Sequence, residues 1–169
     1  MSSVNILDDD GKPIVEGTVL KSAKTSYCVK ALLGAGGFGA VYRVEDMSTN
    51  LIYATKIEKK MDKRRHSKLK MEVEILKSVD SIRGENSHFV SIVDRAKKNL
   101  YFFIVMTLVG PSLDDLRKSR PHKIFSIGTS IGIGWQCLEA IEDLHKQGYI
   151  HRDVKPSNYA IGLNEKIRT

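Results

Sequence analysis

His151-Arg152-Asp153-Val154-Lys155-Pro156-Ser157-Asn158 is the stretch that decides how this chain folds. An acid, a cation and an amide stand in one short loop, with Lys155 two and Asn158 five residues after Asp153. Moving a phosphoryl group onto a hydroxyl calls for these groups: Asp153 to hold the attacking hydroxyl, Lys155 to neutralise the transferring phosphate, Asn158 to ligate a magnesium ion. A bare His-Arg-Asp tripeptide is a chance-level signal. The extended Asp-x-Lys-Pro-x-Asn is far more specific, because every offset has a task. A polar turn after a helix would account for Pro156 and Asn158 alone. His151 reads as a packed organiser of the loop rather than a general base.

Upstream, Gly34-Ala35-Gly36-Gly37-Phe38-Gly39-Ala40-Val41 holds a G-x-G-x-x-G pattern. Glycines let a backbone fold closely over phosphates, where a Cβ would block the approach. In a dinucleotide-binding fold such glycines open a helix. Here β-branched Val41 and Val44 alternate in strand fashion after Gly39, which favours a phosphate-covering hairpin, with an ordinary glycine-rich turn as the bland alternative. Lys56 lies seventeen residues after Gly39, beside Ala54 and Ile57. It could reach the α- and β-phosphates of a nucleotide if a carboxylate held its ammonium; alone it would read as a solvated strand lysine. Glu72 and Glu74 compete for that role. Glu72 shares a helical stripe with Leu69, Ile75 and Leu76, whereas Glu74 neighbours Lys70, Lys77 and Ser78 on a solvent face. Glu72 is therefore chosen.

The remaining pattern supplies the frame. The acidic turn Asp8-Asp9-Asp10-Gly11-Lys12-Pro13 is expected to be mobile. Residues 27–33, 41–44 and 52–57 read as an antiparallel meander. Residues 63–78 read as a helix with Leu69, Val73, Ile75 and Leu76 as its apolar stripe, and 89–94 and 100–106 as two more strands. Gly110-Pro111 breaks the chain. Ser112 can cap a short helix carrying Asp114 and Asp115 in its first turn. A longer helix at about 127–146 places Ile131, Trp135, Leu138, Ile141 and His145 on one side, and Gly148 can end it. The switch from strands to helices predicts two unequal lobes: an extension at 1–26, a strand-rich lobe at 27–106, a hinge at 107–111 and the start of a helical lobe at 112–169.

Composition narrows the class. In 169 residues, 41% hydrophobic and 28% charged, the chain reads as a soluble globular protein. Cys28 and Cys137 suggest neither a disulfide framework nor a zinc site. Residues 1–5 lack a signal-peptide pattern, and the apolar stretch at 100–109 is about half of what a membrane span requires. A cytoplasmic location, with the nucleus as a second, is expected. The net charge of +7 favours acidic or phosphorylated partners. The basic run from Lys59 to Lys68 could be a nucleic-acid patch or a nuclear import signal, but no aromatic residues interleave it to stack bases. A solvated helix face is the more economical reading.

Taken in order, these motifs resemble the N-terminal lobe and the beginning of the C-terminal lobe of a eukaryotic protein kinase. The resemblance implies an α+β fold with a five-stranded antiparallel N-lobe, helix αC, helices αD and αE, and the catalytic loop. Leu108-Val109-Gly110-Pro111-Ser112-Leu113-Asp114-Asp115-Leu116 resembles the hinge and next helix of the casein kinase one superfamily. Ser157-Asn158-Tyr159-Ala160-Ile161-Gly162 and Lys70-Met71-Glu72-Val73 resemble its tau-tubulin kinase branch, nematode-type members included. The likeness covers about residues 27–169. It implies ATP and Mg2+ as cofactors and, from Lys155 two residues after Asp153, transfer to serine or threonine. It also implies a gatekeeper at Met106, adenine-facing backbone at Thr107 and Leu108, and a pocket roof of Leu33, Val41 and Ala54. Protein substrates, acidic or phosphorylated ones among them, would be the partners beside ATP; no membrane is implied, and nucleic acid is disfavoured.

Two departures qualify the match. The family's V-A-I-K strand stands here as Tyr53-Ala54-Thr55-Lys56. The metal-binding Asp-Phe-Gly does not occur before Thr169, so Asn158 would stand alone as metal ligand. The expectation is a fragment or truncated isoform, inactive by itself, with Ile131, Trp135, Leu138 and Ile141 left as an apolar patch. A non-catalytic binding or scaffold module is the alternative. A nicotinamide-dependent oxidoreductase would need a helix opening at Gly39.

Overall fold

The chain's two glycine-flanked, β-branched runs fold back on each other. In the computed structural model, which describes residues 6–36, 39–60, 68–80, 82, 87–162 and 167–168, β2 (Ser26–Gly36) and β3 (Gly39–Asp46) pair antiparallel up to the partners Gly36 and Gly39. No helix opens at Gly39, which removes the structural basis of the dinucleotide reading. β4 (Ile52–Lys59), β5 (Ile92–Lys97) and β6 (Tyr101–Thr107) extend the sheet. Together with β1 (Val19–Lys21) the order is β1-β2-β3-β4-β6-β5. The sheet has six strands where five were expected. β1 has three residues, too short for a period-2 pattern to register. The fifth strand begins at Ile92, three residues later than the sequence suggests.

Two compact units emerge: Met1–Glu74 with Ile92–Leu108, and Ile75–Ser91 with Val109–Thr169. Their boundary falls inside α1 (Lys68–Asp80). The expected beginning of that helix, at 63–67, lies outside the described residues.

The first unit's core covers one sheet face. Tyr42, Val44, Ile57, Phe103 and Val105 point to it and are buried with Ile6, Ile14 and Leu20. The acidic turn expected to be mobile is thus pinned on both sides by buried isoleucines, and Leu7 bridges Pro13 across it. Each such side chain withdrawn from water contributes about 1.5–3 kcal/mol, which overrides the polar sequence between them. Strand partners in an antiparallel pair put their side chains on a common face. Val41 is opposite Lys56, Lys56 opposite Ile104, and Ala54 opposite Met106. These five therefore share the other face, the one toward which α1 turns Glu72.

The second unit is helical. Ser112 caps α2 (Leu113–Ser119) through a reciprocal capping box with Asp115, and Ser126 caps α3 (Ile127–Lys146). Gly148, with φ of +81°, follows α3 in the left-handed conformation that ends helices. Leu113, Ala140, Tyr159 and Ile167 form its core, with Ile133 and Cys137 against them. The buried side of α3 is thus the 133/137/140/144 stripe, while Ile127, Ile131, Trp135 and Leu138 stand out in solvent. Fully buried His88 faces Ile167 O through Nδ1 at 2.9 Å and Glu139 Oε2 through Nε2 at 3.1 Å. The short strands β7 (Ala160–Ile161) and β8 (Ile167–Arg168) pair antiparallel. Among the described residues no helix is long and apolar enough to cross a membrane.

Candidate active site

In the first unit the strand register fixes the cation. Lys56 Nζ donates to Glu72 Oε2, joining β4 to the middle of α1. Glu74 is exposed and takes no part. Both partners are about one-third exposed, at 38% and 34%. A pair this wet contributes little to stability; what it does is hold an ammonium at a set place on the sheet. Glu58 supports it from two residues along β4. This buried carboxylate accepts the Leu69 N–H at 2.7 Å, tying β4 to α1. An acid at the end of a strand carries no sequence mark for such a role.

The glycines divide by function. A Cβ on Gly39 would come within 2.2 Å of Ile57 O, so packing against β4 forbids a side chain there. A Cβ on Gly34 or Gly36 would meet nothing within 4 Å. Among the described residues nothing in the packing demands glycine at those two positions, which leaves space for a ligand. Gly37 and Phe38 lie outside the described residues. Leu33 sits at a register irregularity between Leu32 and Gly34 and is exposed. Ala54 is buried; Val41, Met106, Thr107 and Leu108 are half-buried at the sheet and its exit.

In the second unit the loop is built on Tyr159. That side chain is buried in the core, its carbonyl accepts the Leu113 N–H at 2.8 Å, and the His151 ring stacks on it at 5.9 Å. Its hydroxyl has no hydrogen-bond partner among the described residues. Gly110 N–H donates to Ile161 O, and Ile161 N–H to Pro111 O, tying the start of the unit to the chain just past the loop. A Cβ at Gly110 would press on Ile161 O at 3.1 Å. Arg152 adopts φ of +65°, a left-handed turn costing about 1–2 kcal/mol for a residue with a Cβ, and Asp153 follows it exposed.

Around Asp153 the three expected groups meet. Lys155 Nζ lies 2.7 Å from Asp153 Oδ2, and Asn158 Nδ2 donates to Asp153 O and Oδ2 at 2.8 and 2.9 Å. The Lys155 ammonium first, then the Asn158 amide, holds the Asp153 carboxyl below the usual carboxylate range. It stays an anion at neutral pH. His151 Nδ1 accepts the Asp153 N–H at 3.3 Å, a supporting contact that fits an organising role. The structure therefore brings Lys56 and Glu72 together in one unit, and Asp153, Lys155 and Asn158 together in the other.

A protein kinase domain model matches residues 27–168. The chain belongs to the protein kinase domain family. It is 35% identical over 164 residues to the serine/threonine-protein kinase spe-6 of Caenorhabditis elegans, covering 96% of this chain and 42% of that protein. It is 31% identical over 143 residues to a C. elegans protein named as a casein kinase I, covering 84% and 41%. This kinase chain thus spans less than half the length of those relatives. In three dimensions it resembles vaccinia related kinase 3, with a TM-score of 0.73 and 16% identity over 93% of this chain and 50% of the other, a likeness that establishes the kinase-like fold.

Family membership implies ATP, and the nucleotide fits the residues present: open space over Gly34 and Gly36 on β2, and on β4 of the same sheet an ammonium anchored by Glu72 of α1. For a divalent metal the fit is narrower. Asn158, whose amide nitrogen is engaged by Asp153, would offer a metal only its neutral amide oxygen. Among the described residues no cluster of three or more His, Cys, Asp or Glu offers a cage.

Proposed function

We propose that the chain acts as an ATP-dependent serine/threonine protein kinase of the casein kinase one group, tau-tubulin kinase-like, using Mg2+ and phosphorylating protein hydroxyls in the cytoplasm or nucleus. The observation that carries this reading is the Lys56–Glu72 pair, set in the same sheet as a glycine hairpin whose Gly34 and Gly36 leave room for a ligand. The motifs at 157–162 and 70–73 support the finer branch, and the net charge of +7 supports acidic or phosphorylated substrates.

In this reading Gly34, Gly36, Gly37, Phe38 and Gly39 cover the phosphates, and Lys56 holds them. Leu33, Val41 and Ala54 line the adenine site with Met106 as gatekeeper, and the Thr107 and Leu108 backbone meets the base. Asp153 accepts the hydrogen of the attacking hydroxyl. Because its carboxyl is held low, it is a weak base, and its contribution is to orient the nucleophile until the proton is lost late. Lys155, already beside that carboxylate, offers its charge to the transferring group. Asn158 would hold the magnesium ion, which when bound neutralises phosphate charge.

The test is the melting temperature of the 169-residue chain with ATP, with and without magnesium. A ligand at a hundred times its Kd stabilises a fold by about 2.7 kcal/mol, so a rise is expected. A melting temperature indifferent to both sinks the proposal. Exposed Ile127, Ile131, Trp135 and Leu138 on α3 favour a second reading, a kinase-derived module that binds a partner without catalysis. Radiolabel transfer from ATP to protein serine or threonine separates the two.

A further inference from the structure

At the β5–β6 end of the sheet, cations gather around one ring. Lys60 Nζ stands 5.0 Å and Lys70 Nζ 5.6 Å from the centroid of Phe102. Lys97 is the partner of Phe102 across β5–β6, and Arg95 is the partner of Ile104, so both share the face of Phe102. Four positive side chains from β4's end, α1 and β5 therefore converge on a single patch of the first unit. Like charges this close repel unless something offsets them. Glu58, the partner of Phe102 across β4–β6, and Glu72, bonded to Lys56, set two carboxylates against Lys56 and the four cations of the patch, and Lys60 Nζ also donates to Lys98 O; the face thus keeps an excess of positive charge. No ion pair joins Lys60, Lys70, Arg95 or Lys97 to a carboxylate among the described residues. The first turn of α1 carries no acid either, although its dipole favours one. The acidic Asp8–Asp10 turn meets the tip of the β5–β6 hairpin, where Asp9 accepts the Asn99 N–H at 2.9 Å, and makes no ion pair with these four side chains among the described residues.

We infer that the Lys60, Lys70, Arg95 and Lys97 patch around Phe102 is a docking surface for an acidic peptide segment, on the sheet face that also carries Lys56 but displaced from it toward β5. Its complement is a run of carboxylates or phosphorylated side chains, bound by charge at the rim and by apolar contact with the Phe102 edge. Nucleic acid fits less well. Stacking needs a free aromatic face, and here a single ring is already attended by two ammoniums. The inference rests on the proposed function only in taking the docked peptide to belong to a protein substrate, and it gives that substrate's acidic character a place.

The experiment is fluorescence anisotropy of the 169-residue chain with a labelled Asp/Glu-rich peptide carrying one phosphoserine. Its Asn/Gln counterpart and an oligothymidylate serve as competitors, at low and physiological salt. The Lys70→Glu/Lys97→Glu double variant is expected to bind the acidic peptide about tenfold or more weakly and to lose most of the salt dependence. Arg95→Glu weakens it further, and Lys77→Glu on the same helix leaves it unchanged. Equal binding by the double variant, equal binding of the neutral peptide, or preference for the oligonucleotide overturns the inference. Melting temperatures of all variants, with and without ATP, keep the two proposals apart. A nucleotide shift without charge-dependent peptide binding defeats the docking surface alone; peptide binding without a nucleotide shift defeats the kinase reading alone.

Discussion

The two groups of candidate site residues are held in opposite ways. Lys56 and Glu72 are sixteen residues apart and meet only because strand pairing and the Glu58 contact fix where β4 and α1 lie. Asp153, Lys155 and Asn158 meet within five residues, through bonds the loop makes to itself over a buried tyrosine. The first arrangement borrows rigidity from a core; the second is exposed and carries its geometry locally. Substitutions should therefore act on fold and rate together in the sheet unit, and on rate alone in the loop.

The largest expected effect breaks the comparison if it fails. In any version of the protein that transfers phosphate, Asp153→Asn or Lys56→Met should lower turnover about 10²–10⁴-fold, measured as phosphate incorporation. Asp153→Asn should leave the melting temperature unchanged, because that side chain is exposed. Next comes Ile57→Ala, which empties a fully buried position; a loss of about 2–5 kcal/mol is expected from denaturant unfolding. Gly39→Ala drives a Cβ into the Ile57 carbonyl and should cost about 1–3 kcal/mol while also weakening nucleotide binding. Tyr159→Phe removes a buried hydroxyl that has no partner among the described residues. Its stability should be unchanged or raised by about 1 kcal/mol, and a clear loss would mean the hydroxyl is satisfied.

The smallest effect is in pH. Asp153 is held below the usual carboxylate range mainly by Lys155, so its anion persists as the solution is acidified and disappears only below that lowered value. Removing the cause in Lys155→Met should move the acid limb of kcat/KM upward, toward the ordinary aspartate value of about 4. A limb that stays in place would show that Lys155 does not tune this carboxylate.

Much of this was legible beforehand where the cause is local. Glycines and β-branched residues wrote the hairpin, Ser112 with Asp115 wrote a capped helix, and the choice of Glu72 over Glu74 followed from helical spacing that the ion pair now reflects. The acidic lead-in misled, since Asp8-Asp9-Asp10 argues for solvent while Ile6 and Ile14 on either side are buried. Helix α3 was legible in part. It is apolar on more than one side: the expected patch of Ile131, Trp135 and Leu138 is exposed, whereas the stripe the unit buries, Ile133, Cys137, Ala140 and Leu144, carried no separate mark in the sequence.

Sequence alone determined which chemical groups stand at short range from one another, because turns, caps and loop hydrogen bonds depend on neighbours a few residues away. Tertiary structure decided the rest: that Glu58 reaches the Leu69 N–H of α1, that Gly39 is demanded by β4, that β1 joins the sheet, and which stripe of α3 is covered. Those outcomes depend on which distant surfaces compete for burial and on the backbone register that places them, and neither is encoded in the spacing of any one segment.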